Sequence, residues 1–480
     1  MKFVPSLING SRNIAKYLQM TNALPLSALT PWFSQKNLGE KLFVVALATF
    51  IFCYLPLLAA YRGAESVMIL TFLWLAFVSG RETGLRSATV RDPLFLTCLT
   101  LLGFLVLARL WYSFNLPPGI DPETRETRYV LKPVLVFLVA FGMGIVARPY
   151  RWALLLLALL GLAVYLLTTI GSGQWVNAWA GNREDFGIHN AQHTAMFFGT
   201  ALIGIVCFMF RAIRASSRRW RQAMIFFMIL ALAVAAFGLV ATQTRAAWLG
   251  ITMATTIGLI TAACLIWKKR DKPFGRGHKK AAFGLILFLL VGFALAGLNA
   301  PERVKAPLTN SQSDSSQLTS IEQYASLPAF NTDPRTSHGV RLISWRVALE
   351  WLKERPLVGW GPGSTKDLIN HSEFFSDRFK KNFGHLHNSF IESLVANGLI
   401  GSAILLAMMA WIGYAAFAAY RNGKMPADVL VFAFSFFGFW TAINFFESYT
   451  LYTTGHYINA VVVGFIYSFF LQPQDKDQSP

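Results

Sequence analysis

The stretch QAMIFFMILALAVAAFGLVATQTRAAWLGITMATTIGLITAACLIW, Gln222 to Trp267, contains a single charged residue, Arg245. Apolar runs lie on either side of it, at 222–242 and 245–267. About twenty such residues cross a hydrocarbon layer of ~30 Å as an α-helix. Backbone amides and carbonyls find no water in that layer, so each run must satisfy them internally, as a helix does. Only Gln243-Thr244 separates the two runs, which therefore read as a hairpin crossing a bilayer twice.

Further apolar runs lie outward from this hairpin, at about 42–60, 65–79, 93–113, 130–147, 152–170, 190–210, 281–298, 389–418, 427–446 and 456–471. The expectation is an all-α polytopic membrane protein with about twelve transmembrane helices and one large, partly helical external loop. Composition agrees. Of 480 residues, 54% are hydrophobic and only 14% charged, against about a quarter charged in soluble chains, and mean hydropathy is +0.46. A soluble multidomain enzyme is excluded. Residues 1–41, with Lys2, Arg12 and Lys16 among scattered apolar residues and two prolines, read as a cytoplasmic or interfacial lead-in without a cleavable signal peptide. Helices one to nine occupy 42–298, the loop 299–388, helices ten to twelve 389–471, and a tail 472–480.

The basic excess is large, 43 Lys+Arg against 24 Asp+Glu, a formal +19. In a soluble chain this would suggest a nucleic-acid partner. Here no nucleic acid is expected, because short cytoplasmic connections of membrane proteins collect Lys and Arg. Alternate connections hold Arg81, Arg86 and Arg91; Arg148 and Arg151; Arg211 to Arg221; Lys268 to Lys280; and Arg421 with Lys424. Those connections and both termini are placed in the cytoplasm. Twelve spans independently put both termini on one side. The four cysteines all fall in apolar runs without a Cys-x-x-Cys pair, which predicts neither a disulfide framework nor a zinc ribbon.

The loop 299–388 is then external, and a loop of that length without function is uncommon. Its first part is rich in Ser, Thr, Gln and Asn. Val340 to Leu352 places apolar residues at helical spacing, and Pro356, Gly359, Gly361, Pro362 and Gly363 break that helix with a tight turn.

Polar residues in or beside the spans gather near the expected external ends: Arg109, His189, Asn190, His193, Arg245 and Glu392. The centres of the spans hold almost no ionisable groups. A coupled transporter needs such groups near the midplane, which counts against a polysaccharide flippase or transporter. Arg183 lies in an external connection, where it is either a surface arginine paired with Glu184 or Asp185 or a ligand for an anion. Arg245 either snorkels to headgroups or clamps an anion, since its forked donors fit phosphate oxygens in pairs. The loop holds four histidines, His338, His371, His385 and His387. His385-Leu386-His387 can hold a metal only if carboxylates converge on it, and no His-Glu-x-x-His pattern is present. A neutral imidazole such as His387, at the mouth of a membrane helix, can accept a hydroxyl proton near neutral pH; a lone histidine there can equally be structural.

Together these residues carry a resemblance. His387-Asn388, nine residues, Gly398, two residues and Gly401 resembles the signature of bacterial lipopolysaccharide O-antigen ligases. Arg341-Leu-Ile-Ser-Trp345, followed by Pro356 to Gly361, resembles the large periplasmic loop of the O-antigen ligase/polymerase superfamily. Thr244-Arg245-Ala246 is similar to its Ser/Thr-Arg-Gly/Ala step, and Arg183 with Asn190 to its Arg…Asn segment, although His189 and Ala191 depart from the usual flanks. The resemblance implies a GT-C-type glycosyltransferase of the bacterial inner membrane that needs no metal or cofactor. Its donor would be a glycan on undecaprenyl diphosphate and its acceptor a sugar hydroxyl of lipid A-core, joined at the periplasmic face among membrane lipids. By position, His387 would be the general base and Arg183, Arg245 and Arg341 would bind the diphosphate. Asn388, His385, Asn190 and His338 are further candidates. O-antigen polymerase and protein O-oligosaccharyltransferase remain alternatives, using the same kind of donor.

Overall fold

The computed structural model describes residues 33–79, 89–120, 132–217, 220–268, 337–375 and 377–471. All regular structure among these residues is helical. The elements are α1 (Leu38–Cys53), α2 (Leu58–Leu73, extended by a π turn to Ser79), α3 (Pro93–Asn115), α4 (Pro133–Phe141, extended by a π turn to Val146), α5 (Arg151–Thr168), α6 (Ser172–Trp179), α7 (Ala191–Ala215), α8 (Arg221–Ala241) and α9 (Arg245–Lys268). After the region 269–336 come α10 (Ser337–Glu354), α11 (Ser364–His371), α12 (Asp377–Asn382), α13 (Ser389–Arg421), α14 (Ala427–Asn444), α15 (Thr453–Ile458) and, across a π turn, α16 (Gly464–Tyr467). Eight helices among the described residues are long and apolar enough to cross a membrane.

Most apolar runs appear as helices, with shifted edges. The run expected over 42–60 ends at Cys53, because Pro56 lacks the amide that would continue the ladder, and α2 begins at Leu58, earlier than the 65 expected. The run 281–298, the first part of the loop (299–336), residues 1–32 and the tail 472–480 lie outside the described residues.

One hydrophobic core ties the bundle together. α4 is at its centre, with Leu135 to Phe141 all buried. A helix apolar on every side can only be stable surrounded by other helices. It rests on α16 so closely that a Cβ added at Gly464 would lie 2.7 Å from that of Val139.

The bundle has two chemically different ends. At one, Arg211 makes two 2.6 Å bonds to the Asp428 carboxylate and lies over Trp152. There Arg151 lies over Phe469, and Tyr467 Oη donates to Asp92 at 3.0 Å. This end gathers the basic connections around Arg148, Arg211 and Lys424. The other end carries the loops 169–190, 242–244, 355–388 and 445–452. Tyr54 and Thr453 hydroxyls meet there at 3.1 Å, Tyr112 Oη donates to Val358 O at 2.6 Å, and Tyr449 Oη donates to Gln192 O at 3.0 Å.

α10 to α12 form a small lobe on this second end, built on Val347, Trp351, Trp360, Ile369 and Leu386. The lobe is joined to the bundle by a break in α13. At Gly398 (φ 61°, ψ −167°) the helix is interrupted. The carbonyls of Val395 and Ala396 lose their helical partners and accept instead from the amides of Trp360 (2.9 Å) and Gly361 (2.8 Å). The amides of Leu399 and Ile400 donate to Pro356 O (2.8 Å) and Leu357 O (3.1 Å). The expected turn after α10 is thus inserted into the break, and every freed backbone group named here is satisfied. A Cβ on Gly398 would sit 2.3 Å from Leu357 O, and one on Gly359 2.5 Å from the Gly398 nitrogen.

Candidate active site

Two asparagines build the site from below. Asn190 caps α7, its Oδ1 accepting from the amides of Gln192 (2.8 Å) and His193 (3.1 Å). Asn388 caps α13 in the same way, accepting from Phe390 (3.0 Å) and Ile391 (3.1 Å). Both side chains fill the ordinary role of an N-cap. The residue before each is a histidine in left-handed conformation, His189 (φ 58°) and His387 (φ 51°). Non-glycine residues adopt that conformation at a cost, and such strain tends to collect at functional sites. His189 packs its ring edge to face on His193 at 4.6 Å, in the first turn of α7, while the His387 ring meets Phe383 at 5.4 Å.

Beside His387 stands Glu447, in the short connection from α14 to α15, its side chain only 1% exposed. His385 Nδ1 lies 3.5 Å from its Oε1 and His387 Nδ1 lies 3.4 Å from its Oε2. The two imidazoles meet edge to face at 4.1 Å. Tyr452 joins the two histidine segments, its ring 4.5 Å from His189 and 5.7 Å from His385. A second buried carboxylate, Glu392, accepts from the Leu386 amide at 2.8 Å and the Ser448 hydroxyl at 3.3 Å. The Asn388 amide in turn donates to Ser448 Oγ at 3.2 Å, Ser389 Oγ donates to Glu447 O at 3.1 Å, and Trp345 Nε1 donates to Leu386 O at 3.0 Å. These bonds fix the 385–388 segment against both the lobe and the last connection.

Electrostatics assign states to the cluster. Burial pushes the Glu447 carboxyl up, but hydrogen bonding and charge from His387, the charge of His385 and the Ser448 amide outweigh it and hold it down to about 2. Burial, then the neighbouring His387, lowers His385 to about 4. Glu447 is ionised and His385 neutral at neutral pH. Arg341, on the first turns of α10, is half-buried, and its charge acts on both Glu447 and His385.

Arg183 lies over the turn that leads into Arg245, at an adjoining corner. The Glu184 amide donates to Ala241 O (3.0 Å), Arg183 Nε to Thr242 O (3.2 Å) and Gln243 Nε2 to Gly181 O (2.7 Å). The loop carrying Arg183 is thereby laid over the α8–α9 turn, three residues from Arg245 at the head of α9. Thr244 Oγ1 donates to Ala191 O at 3.3 Å, which links this corner to Asn190 and His189. Of His338, only its place in the first turn of α10 is described.

The structure therefore brings His385, His387 and Arg341 to one carboxylate, with His189 across Tyr452 from His385, and joins the turn that carries Arg183 and Arg245 to the head of α7. Glu447, Tyr449 and Tyr452 do not figure in the sequence reading. Their signal was a lone acid among Ser448 and two tyrosines in a short connection on the expected external side. The carboxylate required for a metal at His385 and His387 is supplied by Glu447: ligand atoms of the three lie within 4.8 Å of one another.

A many-helix bundle with apolar helices of spanning length and a polar cluster at one end defines a polytopic membrane protein with an end-on site. Residues 230–406 match the family model described as O-Antigen ligase, a match over less than half of the chain that supports membership of the O-antigen ligase/polymerase superfamily. The match includes Arg245, Arg341, His385 and His387, while Arg183, His189 and Glu447 lie outside it. A stretch of 74 residues, 15% of the chain, is 39% identical to an uncharacterized protein of Haemophilus influenzae, spanning 18% of that protein's length.

Proposed function

We propose that this protein is an O-antigen ligase that moves a glycan from undecaprenyl diphosphate to a sugar hydroxyl of lipid A-core at the periplasmic face of the inner membrane. The observation that carries the reading is His387 held over the ionised, buried Glu447 at the mouth of α13, beside the Arg183–Arg245 corner. In the resting site Nδ1–H of His387 faces Glu447, leaving Nε2 with a lone pair. The acceptor oxygen attacks the anomeric carbon as its proton passes to Nε2, and the bond from that carbon to the diphosphate oxygen breaks. The electron pair leaves with the diphosphate, so the anomeric centre inverts. Glu447 stabilises the imidazolium, as a buried carboxylate does behind a catalytic histidine. Charge growing on the diphosphate is met by fixed guanidiniums, which stabilise that charge selectively in a partly dry site. Arg341, facing Glu447, is assigned to the acceptor side of the same space or the inner diphosphate oxygen.

Transfer of lipid-linked glycan to lipid A-core in purified components tests this reading. His387→Ala is expected to lower the rate ~10²–10⁴-fold with the protein still folded; wild-type rates would remove His387 from the chemistry. Lipopolysaccharide from a deletion strain separates ligase from polymerase. Core-only lipid with accumulated lipid-linked polymer supports the ligase, and core plus one repeat supports the polymerase.

A further inference from the structure

We infer that His385, His387 and Glu447 form a binding site for a zinc-like divalent cation, and that the bound cation switches glycan transfer off. The inhibitory part rests on His387 being the base; the binding part does not.

The geometry is that of a three-ligand site. Four-coordinate zinc binds imidazole nitrogen and carboxylate oxygen at about 2.0–2.2 Å, which places neighbouring ligand atoms about 3.3–3.5 Å apart. His385 Nδ1 lies 3.5 Å from Glu447 Oε1 and His387 Nδ1 3.4 Å from Oε2, and one ligand atom from each of the three residues lies within 4.8 Å of the other two, so the donors stand close to that spacing, each imidazole on its own carboxylate oxygen. Two imidazoles and one carboxylate, with a fourth position open to water, are a donor set that borderline transition metals favour over magnesium or calcium. The ligands are also held in place. Asn388 caps the helix behind His387, Ser448 N–H donates to Glu447 Oε1 at 2.9 Å, and Glu392 holds the intervening Leu386 amide. Such outer bonds orient ligands and sharpen affinity.

The nitrogens are available. His385 Nδ1 accepts the His387 amide at 3.3 Å, so that nitrogen carries a lone pair and no proton, and a cation binds there by displacing this long bond. His387 Nδ1 is buried without a well-directed hydrogen bond. A cation needs that Nδ1 lone pair. Binding therefore moves the proton of the neutral ring from Nδ1 to Nε2, with no net gain or loss. The Nε2 lone pair that would accept the acceptor's proton is then occupied by hydrogen, and Glu447 is committed to the metal. Binding and catalysis exclude each other on one ring.

Cobalt titration of the purified full-length protein in nanodiscs tests binding without reference to transfer. The expected result is the intense visible spectrum of four-coordinate cobalt at one equivalent, displaced by zinc and unaffected by excess magnesium. His385→Ala, His387→Ala and Glu447→Gln should each weaken binding by roughly tenfold or more, on the scale of lost metal-site contacts. If Glu447→Gln does not fold, the two histidine variants carry the test, since neither side chain caps a helix. No four-coordinate spectrum, or one unchanged in both histidine variants, overturns the site. In the transfer assay zinc should inhibit at the concentration that displaces cobalt, and EDTA should restore the rate; acceleration by zinc overturns the inhibitory role. Cobalt binding with transfer indifferent to His387→Ala would leave the site standing and remove the reading of His387 as base. His387-dependent transfer without cobalt binding would do the reverse.

Discussion

Arg245 heads α9 directly after a three-residue turn, with Arg183 anchored to the carbonyl at the start of that turn. A guanidinium in such a corner offers two parallel donors to one phosphate, whereas lysine offers a point charge. Arg245→Lys is therefore expected to lose transfer almost as severely as Arg245→Ala, by ~10²-fold or more, on the scale of one removed charge-stabilising donor. A lysine variant as active as wild type would mean that the residue only reaches headgroups. His385 supplies a second residue-scale expectation. Its folded pKa, about 4, lies below its unfolded value, so between those values the unfolded chain binds more protons. Stability attached to this group is full above pH ~6.5 and is lost as pH falls toward 4. Thermal melting between pH 7 and 4 should show that decline, and His385→Ala should flatten it.

At the scale of elements, the break in α13 is the joint between membrane bundle and lobe. It gives up the two helical bonds that Leu399 and Ile400 would make to Val395 and Ala396 and forms four to the Pro356–Gly361 segment, so it costs little as long as both partners are in register. The backbone at Gly398 lies in a region essentially confined to glycine, and a side chain there or at Gly359 would strike backbone atoms of the opposing segment. Gly398→Ala should destabilise the protein by at least ~1–3 kcal/mol, and Gly359→Ala similarly, read as a lowered melting temperature. Proteolysis of the lobe should increase in parallel. A Gly398→Ala protein with unchanged melting and a protected lobe would show that the crossing is not the joint. Gly398 and Gly359 thus belong to the family-like motifs for a reason separate from chemistry: they set the height of the lobe, and with it the position of His387 eleven residues before the break.

The whole molecule is a bundle with a basic end and a site end, and the two must face opposite sides of the bilayer if apolar helices such as α7, α8 and α9 span it. Ser217, after α7, lies at the basic end, and Ser172, at the start of α6, at the site end; both are exposed. In a variant with Cys53, Cys98, Cys207 and Cys264 replaced, Ser172→Cys should react with a membrane-impermeant reagent in intact cells, and Ser217→Cys should react only after lysis. The opposite pattern would put the site in the cytoplasm and remove the periplasmic reaction with it.

The amino-acid sequence by itself determined the membrane class and the approximate helices. Apolar runs of spanning length admit one backbone solution in a medium without water, and the alternation of basic connections follows the same runs. It also exposed His387, Arg245 and Arg183, because charged or polar residues beside such runs are conspicuous. Helix edges at Pro56 and Leu58 were less legible, since a hydropathy run continues smoothly through a break that packing imposes. Only the tertiary structure decided that Glu447, sixty residues after His387, lies beneath it, and that His385 is its partner on the other carboxylate oxygen. The same holds for the capping role of Asn190 and Asn388 and for the insertion of Pro356–Gly361 into α13. These are contacts between segments distant in the chain, where periodicity and composition are silent and only the folded packing of helix mouths brings the donors and acceptors within bonding distance.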